Sequence, residues 1–373
     1  MNILLNASNL HSGGGVQVAI SVIFELSLLD LNGLEISVLV SDEVNESLMQ
    51  LNTDFSKFYD YTILNTYGLS AVWKGVDFII KKYDLVLTVF GPLYSIFKPK
   101  KMITGFAQPW IIYTKNEIYS KYSLFNKIKI NVKYFFQYLF FKRNDKLITE
   151  LEHVKIALIE KGFTENKIEI VYNCLNSIYF SPERWAKEKV VACNNNLKFG
   201  FVGRDYPHKN TDFLADLKLI LASEYNLNID FYVTFNDLEW KNKSEKFRGL
   251  VNNVGALTID QCPRFYKEMD AIIFPSLLEC FSATPLEAMV MGKPLFASDR
   301  HFVRDVCKDY ANYFNPLDPK STADMIYKFV NDNGFKDVEK LESAKQYVLN
   351  FSNPKQRAQR YLDLILSFQD DSK

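Results

Sequence analysis

The sequence predicts an α/β protein made of two Rossmann-like domains whose parallel sheets face a central cleft. Three observations lead to this fold class. The chain has 373 residues, the length of two ordinary domains. Apolar, β-rich runs alternate with helical runs almost throughout, as expected for parallel sheets covered by helices on both faces. The alternation restarts near residue 197, where the second set of strands is predicted to begin.

In the first half, apolar runs bounded by turn-forming residues are predicted to be strands. They cover 1–6, 34–40, 85–90, 101–106 and 147–149. Apolar residues recur at helical spacing between these runs. Helices are therefore predicted to include 16–29 and 118–141.

The second half repeats the arrangement and adds a last helix. Strands are predicted at 197–202, 229–233, 271–274 and 294–297. Predicted helices include 212–223, 260–267, 285–291 and, at the end, 354–368. The implied organisation is a first domain at 1–172, a linker at 173–190, a second domain at 191–352, and a segment at 353–373 that packs back on the first domain.

The composition indicates enough apolar residues for two hydrophobic cores, and the net charge of zero does not favour binding of nucleic acid. Hydrophobic residues make up 48% of the chain, and 44 basic residues balance 44 acidic ones. The chain starts directly as a strand and has no run of roughly 20 apolar residues, so neither a signal peptide nor a membrane span is predicted. The cysteines lack metal-ligand spacing and suit reduced thiols in a cytoplasmic protein. They are Cys174, Cys193, Cys262, Cys280 and Cys307.

Basic and aromatic residues are concentrated between Lys98 and Lys146. Eleven lysines and arginines, Lys121 among them, face only two acidic residues there. Aromatic bodies with cationic neighbours suit an anionic membrane surface, which 115–146 is predicted to contact. The alternative is a packed amphipathic helix whose lysines are only solvated. The aromatic residues cluster on one helix face, which disfavours binding of single-stranded nucleic acid.

A glycine-rich turn, Gly13-Gly14-Gly15, follows the first predicted strand. Glycines let the backbone approach a ligand, and the next helix N-terminus favours an anion. The spacing is not G-x-G-x-x-G and no acidic ribose clamp follows, so no nicotinamide cofactor is expected. The alternative is a flexible loop.

A second turn, at Gly203, follows the strand that opens the second half. Arg204 and Lys209 come directly after it, close to the start of a helix. Two cations with helix amides suit a diphosphate. The alternative is a pair of solvated surface charges.

Two carboxylates, Glu279 and Glu287, stand just after the strand at 271–274. Thr284 and Glu287 have the spacing of a capping box, so Glu287 is predicted either to cap the helix or to bind a ligand. Glu279 lies in a loop beside apolar residues, where an unpaired charge is costly. Loops at the carboxyl ends of parallel strands bind ligands.

These residues together resemble the donor-binding half of the family-4 retaining glycosyltransferases, which have the GT-B fold. The resemblance is carried by Gly203-Arg204 with Lys209, then by Pro275-Ser-x2-Glu279-x7-Glu287-Ala-Met-x2-Gly292-x-Pro294. The glycine turn and Asn173-Cys-Leu-Asn176 match more loosely, and the resemblance covers nearly the whole chain.

The resemblance implies that the second domain binds a nucleotide-diphosphate sugar and the first binds an acceptor. Arg204, Lys209 and Glu279 would be catalytic: the cations stabilise the departing diphosphate and Glu279 holds the donor sugar. Glu287 would bind the ribose. The other donor-binding residues would be Gly13, Gly14, Gly15, Gly203, Phe281, Ser282, Ala283, Thr284 and Leu286.

Two departures from the family pattern concern the loop that contacts the donor sugar and the residue that could act as a general base. The usual Glu-Gly-Phe-Gly is Glu279-Cys-Phe-Ser here. Many members carry a histidine in the first domain, but this chain has Gln108 and Trp110 in that stretch. Gln108 cannot take up a proton at neutral pH. His11 is the outside candidate for a base on the acceptor side, and His208 is interpreted as a loop residue near the cations.

The resemblance implies transfer of a hexose with retention of configuration. The transfer is expected to be metal-independent, because the sequence contains no D-x-D motif to hold a metal. The donor would be a UDP-, GDP- or dTDP-hexose and the acceptor a saccharide, lipid-linked in surface polysaccharide synthesis (O-antigen, capsule or exopolysaccharide). No separate cofactor is expected, and the location would be cytoplasmic or peripheral on the inner membrane face. The alternatives are a nucleotide-sugar epimerase on the same scaffold and a non-catalytic glycosyltransferase-like subunit.

Overall fold

The fold consists of two compact α/β units, seen in a computed structural model that describes residues 1–120, 122–191 and 196–370. Unit 1 comprises 1–114, 122–174 and 352–373, and unit 2 comprises 115–121 and 175–351. The chain therefore enters unit 2 after Cys174 and returns to unit 1 at Ser352. Lys121 and Cys193 lie outside the described residues.

Thirteen strands are described. They are β1 (Asn2–Ala7), β2 (Glu35–Val40), β3 (Asp60–Ile63), β4 (Leu85–Thr88), β5 (Lys101–Gly105), β6 (Lys146–Thr149), β7 (Ile168–Ile170), β8 (Leu197–Phe201), β9 (Ile229–Val233), β10 (Asn252–Asn253), β11 (Ala271–Phe274), β12 (Leu295–Ser298) and β13 (Asn312–Phe314).

Seventeen α-helices are described. They are α1 (Gly14–Leu28), α2 (Asp42–Gln50), α3 (Ser70–Trp73), α4 (Val76–Ile80), α5 (Pro109–Ile112), α6 (Glu117–Ser120), α7 (Leu124–Lys142), α8 (Glu152–Glu160), α9 (Phe213–Tyr225), α10 (Asp237–Asn242), α11 (Glu245–Leu250), α12 (Gln261–Glu268), α13 (Thr284–Val290), α14 (His301–Cys307), α15 (Pro319–Asn331), α16 (Val338–Leu349) and α17 (Pro354–Asp370).

Both sheets are parallel throughout, which confirms the predicted fold class. The order in unit 1 is β3-β2-β1-β4-β5-β6-β7, and in unit 2 it is β10-β9-β8-β11-β12-β13. The strand order reverses direction between β1 and β4 and between β8 and β11. In open α/β sheets these switch points are where loops diverge and leave room for a ligand.

The strands that sequence patterning missed are short edge or near-edge strands. They are β3, β7, β10 and β13, of two to four residues each. Runs this short carry too few alternations for a period of two to stand out. The predicted helix at 118–141 is two helices, because Ser123 takes an extended conformation and its hydroxyl accepts a hydrogen bond from the amide of Asn126, starting α7 afresh.

The final helix, α17, packs against α1 and completes the core of unit 1. Ala358, Tyr361, Leu362 and Ile365 are buried there among residues of α1 and the sheet. These four positions follow helical spacing, so α17 presents one apolar face to the unit. Unit 1 is therefore assembled from segments that are far apart along the chain.

A buried polar cluster, the Arg357 cluster, joins α17 to the ends of β6 and β7. It consists of Glu150, Asn173 and Arg357, all nearly inaccessible to solvent. Arg357 Nη1 donates to Asn173 Oδ1, and Asn173 Nδ2 donates to Glu150 Oε1 at 2.5 Å. Glu25 of α1 faces the same guanidinium, although burial is the larger influence and raises the pKa of Glu25.

Part of the basic excess between Lys98 and Lys146 is neutralised by ion pairs. Lys98 pairs with Asp145 at 3.0 Å, Lys100 with Asp84 at 2.6 Å, and Lys146 with Glu169 at 2.6 Å. The charge that remains clustered belongs to α7, which carries four lysines and no acidic residue. Among the described helices, none combines the length and the apolar character needed to cross a bilayer.

Candidate functional site

The candidate site lies in unit 2 at the switch point between β8 and β11. These strands are parallel neighbours, so their carboxyl ends lie side by side. The loop after β8 carries Gly203, Arg204 and Lys209, and the loop after β11 carries Glu279. The structure brings Lys209 and Glu279 into direct contact although 70 residues separate them.

The Lys209–Glu279 pair is short, buried and held from several sides. Lys209 Nζ lies 2.7 Å from Glu279 Oε1, and the two side chains are only 11% and 10% exposed. Ser276 Oγ donates to the same carboxylate oxygen at 2.6 Å. Among described residues, Glu279 Oε2 accepts no hydrogen bond, so this oxygen is available to a ligand hydroxyl.

Backbone contacts fix the two loops against each other. The amide of Leu277 donates to the carbonyl oxygen of His208 at 2.7 Å, and Ser276 Oγ lies 3.2 Å from that oxygen. Ser298 Oγ, at the end of β12, donates to the carbonyl oxygen of Ser276 at 2.6 Å. The ion pair therefore sits on a preorganised frame and does not depend on two flexible side chains meeting.

Arg204 is placed differently from Lys209. Its side chain is 45% exposed, and Nε donates to Glu239 Oε1 at 2.6 Å. Glu239 also forms a capping box with Asn236 at the start of α10. No hydrogen bond joins Arg204 to Lys209 or Glu279 among the described residues. An anion that recruits Arg204 must therefore compete with Glu239.

Lys243 supports the loop after β8 and was not predicted from the sequence. Its Nζ lies 2.9 Å from Asp205, 3.0 Å from Thr211 and 2.8 Å from Asp212, and the side chain is buried. Nζ is also 4.5 Å from the centre of the Phe247 ring. A single lysine between α10 and α11 does not form a sequence motif. The contacts of Lys243 with Asp205, Thr211 and Asp212 are therefore visible only in the folded structure.

Glu287 does not form the capping box. Ala283 occupies the N-cap position of α13, and no side chain caps the helix. Thr284 Oγ1 instead donates to the carbonyl oxygen of Val202 at 3.2 Å. Glu287 Oε2 accepts a 2.6 Å hydrogen bond from the phenol of Tyr266. The capping-box prediction is wrong because Tyr266, from α12, takes the carboxylate that would have turned back to the cap.

Two tyrosines surround Glu287. Tyr266 and Tyr179 are buried, and burial followed by the negative charge of Glu287 raises the pKa of both phenols well above the ordinary value. Burial also raises the pKa of Glu287, while hydrogen bonds from the two phenols oppose that shift. Both phenols therefore stay protonated and donate to the carboxylate. Tyr266 was missed by sequence reasoning because its role depends on the packing of α12 on α13.

The other donor-binding residues predicted in unit 2 lie near this site, and their side chains differ in how deeply they are buried. The amide of Gly203 donates to Thr234 Oγ1 at 3.1 Å. Leu286 is fully buried in the core, so only its backbone could face a ligand. Ser282 and Thr284 are buried and Phe281 and Ala283 are half-buried, in the loop and first turn that lead into α13.

His208 is held neutral beside the ion pair. Burial lowers the pKa of His208 to about 4, the charge of Glu279 opposes this, and that of Lys209 adds to it. Its ring stacks on Tyr206 with centroids 5.5 Å apart. At neutral pH the imidazole is therefore uncharged and adds no cation to the site.

We expect the neutral His208 to make unit 2 less stable in acid. In an unfolded chain histidine takes up a proton near pH 6.5, so between about pH 6.5 and 4 the unfolded state binds more protons. The stabilisation is complete above this window and is lost as pH falls through it. His208→Gln should reduce the acid loss of unfolding free energy by about 2 kcal/mol, a value discounted for the ring's partial exposure. Urea unfolding at several pH values, with the exposed His301→Gln as control, measures the effect; equal pH slopes in both variants would contradict it.

In unit 1, the glycine turn begins a helix instead of forming an open loop. Gly13 is the N-cap of α1 with φ of 71°, a left-handed conformation that favours glycine, and Gly14 and Gly15 are already helical. A Cβ on Gly15 would lie 3.2 Å from Leu10 Cδ2. The helix therefore starts two residues before the predicted position, and the turn presents helix amides close to β1.

Both ring nitrogens of His11 have hydrogen-bond partners, and its role on the acceptor side stays a prediction. Its Nδ1 lies 2.9 Å from Glu43 Oε2 and its Nε2 lies 2.9 Å from the carbonyl oxygen of Thr66. Both partners are acceptors, so the ring donates from both nitrogens only when it is protonated. It also stacks on Tyr67 with centroids 4.0 Å apart. These contacts hold the ring in place beside the glycine turn.

Gln108 and Trp110 follow β5. Gln108 is the N-cap residue of α5 but makes no side-chain capping bond. Trp110 stacks on Tyr134 of α7 with centroids 6.0 Å apart. Both side chains are half-buried, and their predicted acceptor role stays a prediction.

The fold and the site define a two-unit, doubly wound α/β protein with a buried lysine–glutamate ion pair at the switch point of the second sheet. Residues 183–349 match the model of the Glycosyl transferases group 1 family. This match covers less than half of the chain. With the relatives and structures described next, it shows that the chain is similar to the group 1 glycosyltransferases and has the GT-B fold.

Two curated relatives are named for polysaccharide synthesis. The O-antigen chain mannosyltransferase RfbU of Salmonella typhimurium is 27% identical over 237 residues, which cover 59% of this chain. The capsular polysaccharide biosynthesis glycosyltransferase CapM of Staphylococcus aureus is 23% identical over 68% of this chain and 71% of its own. The matched region spans only 60% of the length of RfbU.

A solved structure shares the whole fold. Anabaena HepE, determined in complex with UDP-glucose, superposes with a TM-score of 0.68 and covers 98% of this chain and 99% of its own. The two sequences are 15% identical. At this sequence identity the structural similarity establishes the fold of both units but not the ligand of this chain.

Proposed function

We propose that this protein is a retaining glycosyltransferase that moves a hexose from a nucleotide-diphosphate sugar to a saccharide acceptor. The acceptor would be lipid-linked, in synthesis of a surface polysaccharide such as O-antigen, capsule or exopolysaccharide. The observation that carries the proposal is the buried Lys209–Glu279 pair at the β8/β11 switch point. The match of residues 183–349 to the group 1 glycosyltransferase model and the names of RfbU and CapM support the same class of reaction.

Lys209 and Glu279 would divide the donor between them. The ammonium of Lys209 would face the diphosphate, where it stabilises the charge that develops as the sugar leaves. Glu279 would keep Oε1 on Lys209 and Ser276 and offer Oε2 to a sugar hydroxyl. Arg204 would add a second cation by exchanging Glu239 for phosphate oxygens.

Glu287 would bind the ribose hydroxyls through the oxygen that Tyr266 does not occupy. The Tyr266 phenol fixes Oε2, and the Tyr179 phenol also donates to the carboxylate, so a ribose hydroxyl would bind at the acceptor capacity that remains on Oε1. A fixed carboxylate loses less side-chain entropy when the ligand binds. Tyr266 is in this sense a positioning residue for the nucleotide.

The proposed chemistry needs no protein base. As the glycosidic C–O bond to the diphosphate breaks, positive charge develops on the sugar carbon and negative charge on the phosphate oxygen. The acceptor hydroxyl attacks the same face and gives its proton to that phosphate oxygen, so configuration is retained. His208 is neutral but buried, and His11 has both nitrogens engaged, which agrees with a mechanism that relies on stabilising the leaving group.

The direct test combines a binding screen with a product assay. Thermal unfolding of the full chain with UDP, GDP and dTDP sugars identifies the nucleotide, because a ligand that binds the native state raises apparent stability. Transfer to lipid-linked saccharides is then followed in EDTA, with the anomeric configuration read by NMR. We expect nucleotide diphosphate to appear only with acceptor, and the product to keep the donor's configuration. An epimer formed from the nucleotide sugar alone, or binding without turnover, would overturn the proposal.

Removing the Tyr266 phenol should weaken donor binding more than turnover. Tyr266→Phe deletes the hydrogen bond to Glu287 while it keeps the ring. Hydrogen bonds to charged groups contribute about 1.5–3 kcal/mol, so KM for the donor should rise roughly tenfold or more with kcat little changed. Steady-state kinetics measure this, with the exposed Tyr327→Phe of α15 as control. An unchanged KM with reduced kcat would show that Tyr266 does not act through ribose binding.

A further inference from the structure

The long helix α7 exposes its most apolar face to solvent. Seven large apolar side chains on this helix are exposed, and we call them the apolar ridge. They are Leu124, Phe125, Ile128, Val132, Phe135, Phe136 and Leu139. Phe125 is 77% exposed and Phe135 is 58% exposed. Exposed apolar patches of this kind mark interaction surfaces.

The apolar ridge points directly away from unit 1. At about 100° per residue, its seven members fall within one third of the helix circumference. Gln137 and Phe141, the buried residues of α7, fall on the opposite side. Gln137 Nε2 donates to the hydroxyl of Tyr94 at 2.9 Å, which anchors that side. The fold therefore uses one face of α7 and leaves the other exposed to solvent, without a partner among the described residues of unit 1.

Cations border the apolar ridge on both sides. On the same helical projection, Lys129 and Lys133 lie along one edge, and Lys127 and Lys142 lie along the other. No acidic residue occurs on α7. An apolar stripe between two rows of lysines is the arrangement by which helices lie in the headgroup region of an anionic bilayer, with apolar groups among the acyl chains and lysines at the phosphates.

The loop at 95–97 extends this surface beyond the end of α7. The guanidinium of Arg143 donates to the carbonyl oxygens of Ser95 at 2.5 Å and Ile96 at 3.2 Å. Ile96 and Phe97 of this loop are exposed. Lys81 Nζ lies 3.4 Å from the centre of the Phe97 ring, so apolar and cationic groups are again adjacent.

We propose that the apolar ridge and its flanking lysines dock unit 1 on an anionic lipid bilayer. A second protein chain is the competing occupant, but lysine is depleted at protein–protein interfaces relative to the rest of the surface. Here lysines run the length of the ridge without carboxylates on the same helix to pair with them. The surface is independent of the chemistry proposed for unit 2.

Vesicle co-sedimentation of the full chain tests the proposal. We expect binding to vesicles that contain phosphatidylglycerol, weaker binding to phosphatidylcholine vesicles, and release by salt. The double variant Phe125→Ser/Phe135→Ser should lower the partition coefficient on the order of tenfold or more. Lys129→Gln/Lys133→Gln should lower it by a similar factor on phosphatidylglycerol only.

Matched substitutions on unit 2 provide the control. Leu238→Ser/Val338→Ser also removes two exposed apolar side chains and should leave vesicle binding unchanged. Circular dichroism verifies that every variant is folded. Equal binding to both vesicle types, or ridge variants that bind like the control, would overturn the proposal. So would a dimer in sedimentation velocity that the phenylalanine double variant dissociates, since the occupant would then be a second copy of the chain.

Discussion

Lys209→Met is expected to lower kcat for sugar transfer about 100- to 1,000-fold, because it removes the buried cation that faces the leaving diphosphate. The same change leaves Glu279 buried without its ion-pair partner. Breaking a buried pair from one side costs about 3–5 kcal/mol of unfolding free energy. An inactive Lys209→Met could therefore reflect either lost chemistry or lost structure, and the single variant is not decisive.

The double variant Lys209→Met/Glu279→Gln separates these effects. It removes both charges at once, so most of the unfolding free energy should return while turnover stays low. Urea unfolding and kinetics with the donor chosen by the binding screen give the two readouts. Lys246→Met is the control, because Lys246 pairs with Asp216 in unit 2 but both side chains are more than half exposed. Near-normal turnover of the stable double variant would remove Lys209 from the catalytic machinery.

Arg357→Met is expected to destabilise unit 1 by about 1.5–3 kcal/mol, because it removes a buried hydrogen bond made by a charged group. Methionine fills similar space but cannot donate to Asn173. Asn173 Oδ1 would lose its charged donor, and Glu25 would lose a neighbouring cation. The unfolding free energy should fall without any change at the Lys209–Glu279 pair, which lies in unit 2.

Urea unfolding followed by hydrogen exchange locates the loss. We expect the amides of α1 and α17 to lose protection while those of β8 and β11 keep it. Arg360→Met, an exposed position on the same helix, should unfold like the wild type. Glu25→Gln in the Arg357→Met background should restore part of the stability, because Glu25 is the carboxylate that loses a neighbouring cation. Unchanged protection of α17 in Arg357→Met would mean that the Arg357 cluster does not hold the helix.

Much of the fold could be predicted because long, fully buried parallel strands leave a strong pattern. The predicted bounds of β9 and β11 match the structure, those of β8 differ by one residue at its end, and those of β1 differ by one residue at each end. The missed strands β10 and β13 have only two and three residues. Their pairing depends on neighbouring strands and hardly on their own sequence.

The candidate site was predictable as a set of positions but not as a set of contacts. Strand ends and a family-like motif placed Lys209 and Glu279 on neighbouring loops. The sequence could not show that they form an ion pair, that Arg204 is held by Glu239, or that Tyr266 takes Glu287 from the helix cap. Each of these contacts joins residues that are distant in the chain. Sequence spacing alone does not show which of several possible partners a side chain contacts.

The return of α17 to unit 1 sets the order in which the chain can fold as it is synthesised. Unit 2, residues 175–351, is complete before the ribosome has made α17. At about 5–20 residues per second, the apolar face of α1 waits roughly fifteen to sixty-five seconds for its partner helix. The unit that comes second in the sequence can thus finish first, and unit 1 spends that interval with an open core that chaperones could recognise.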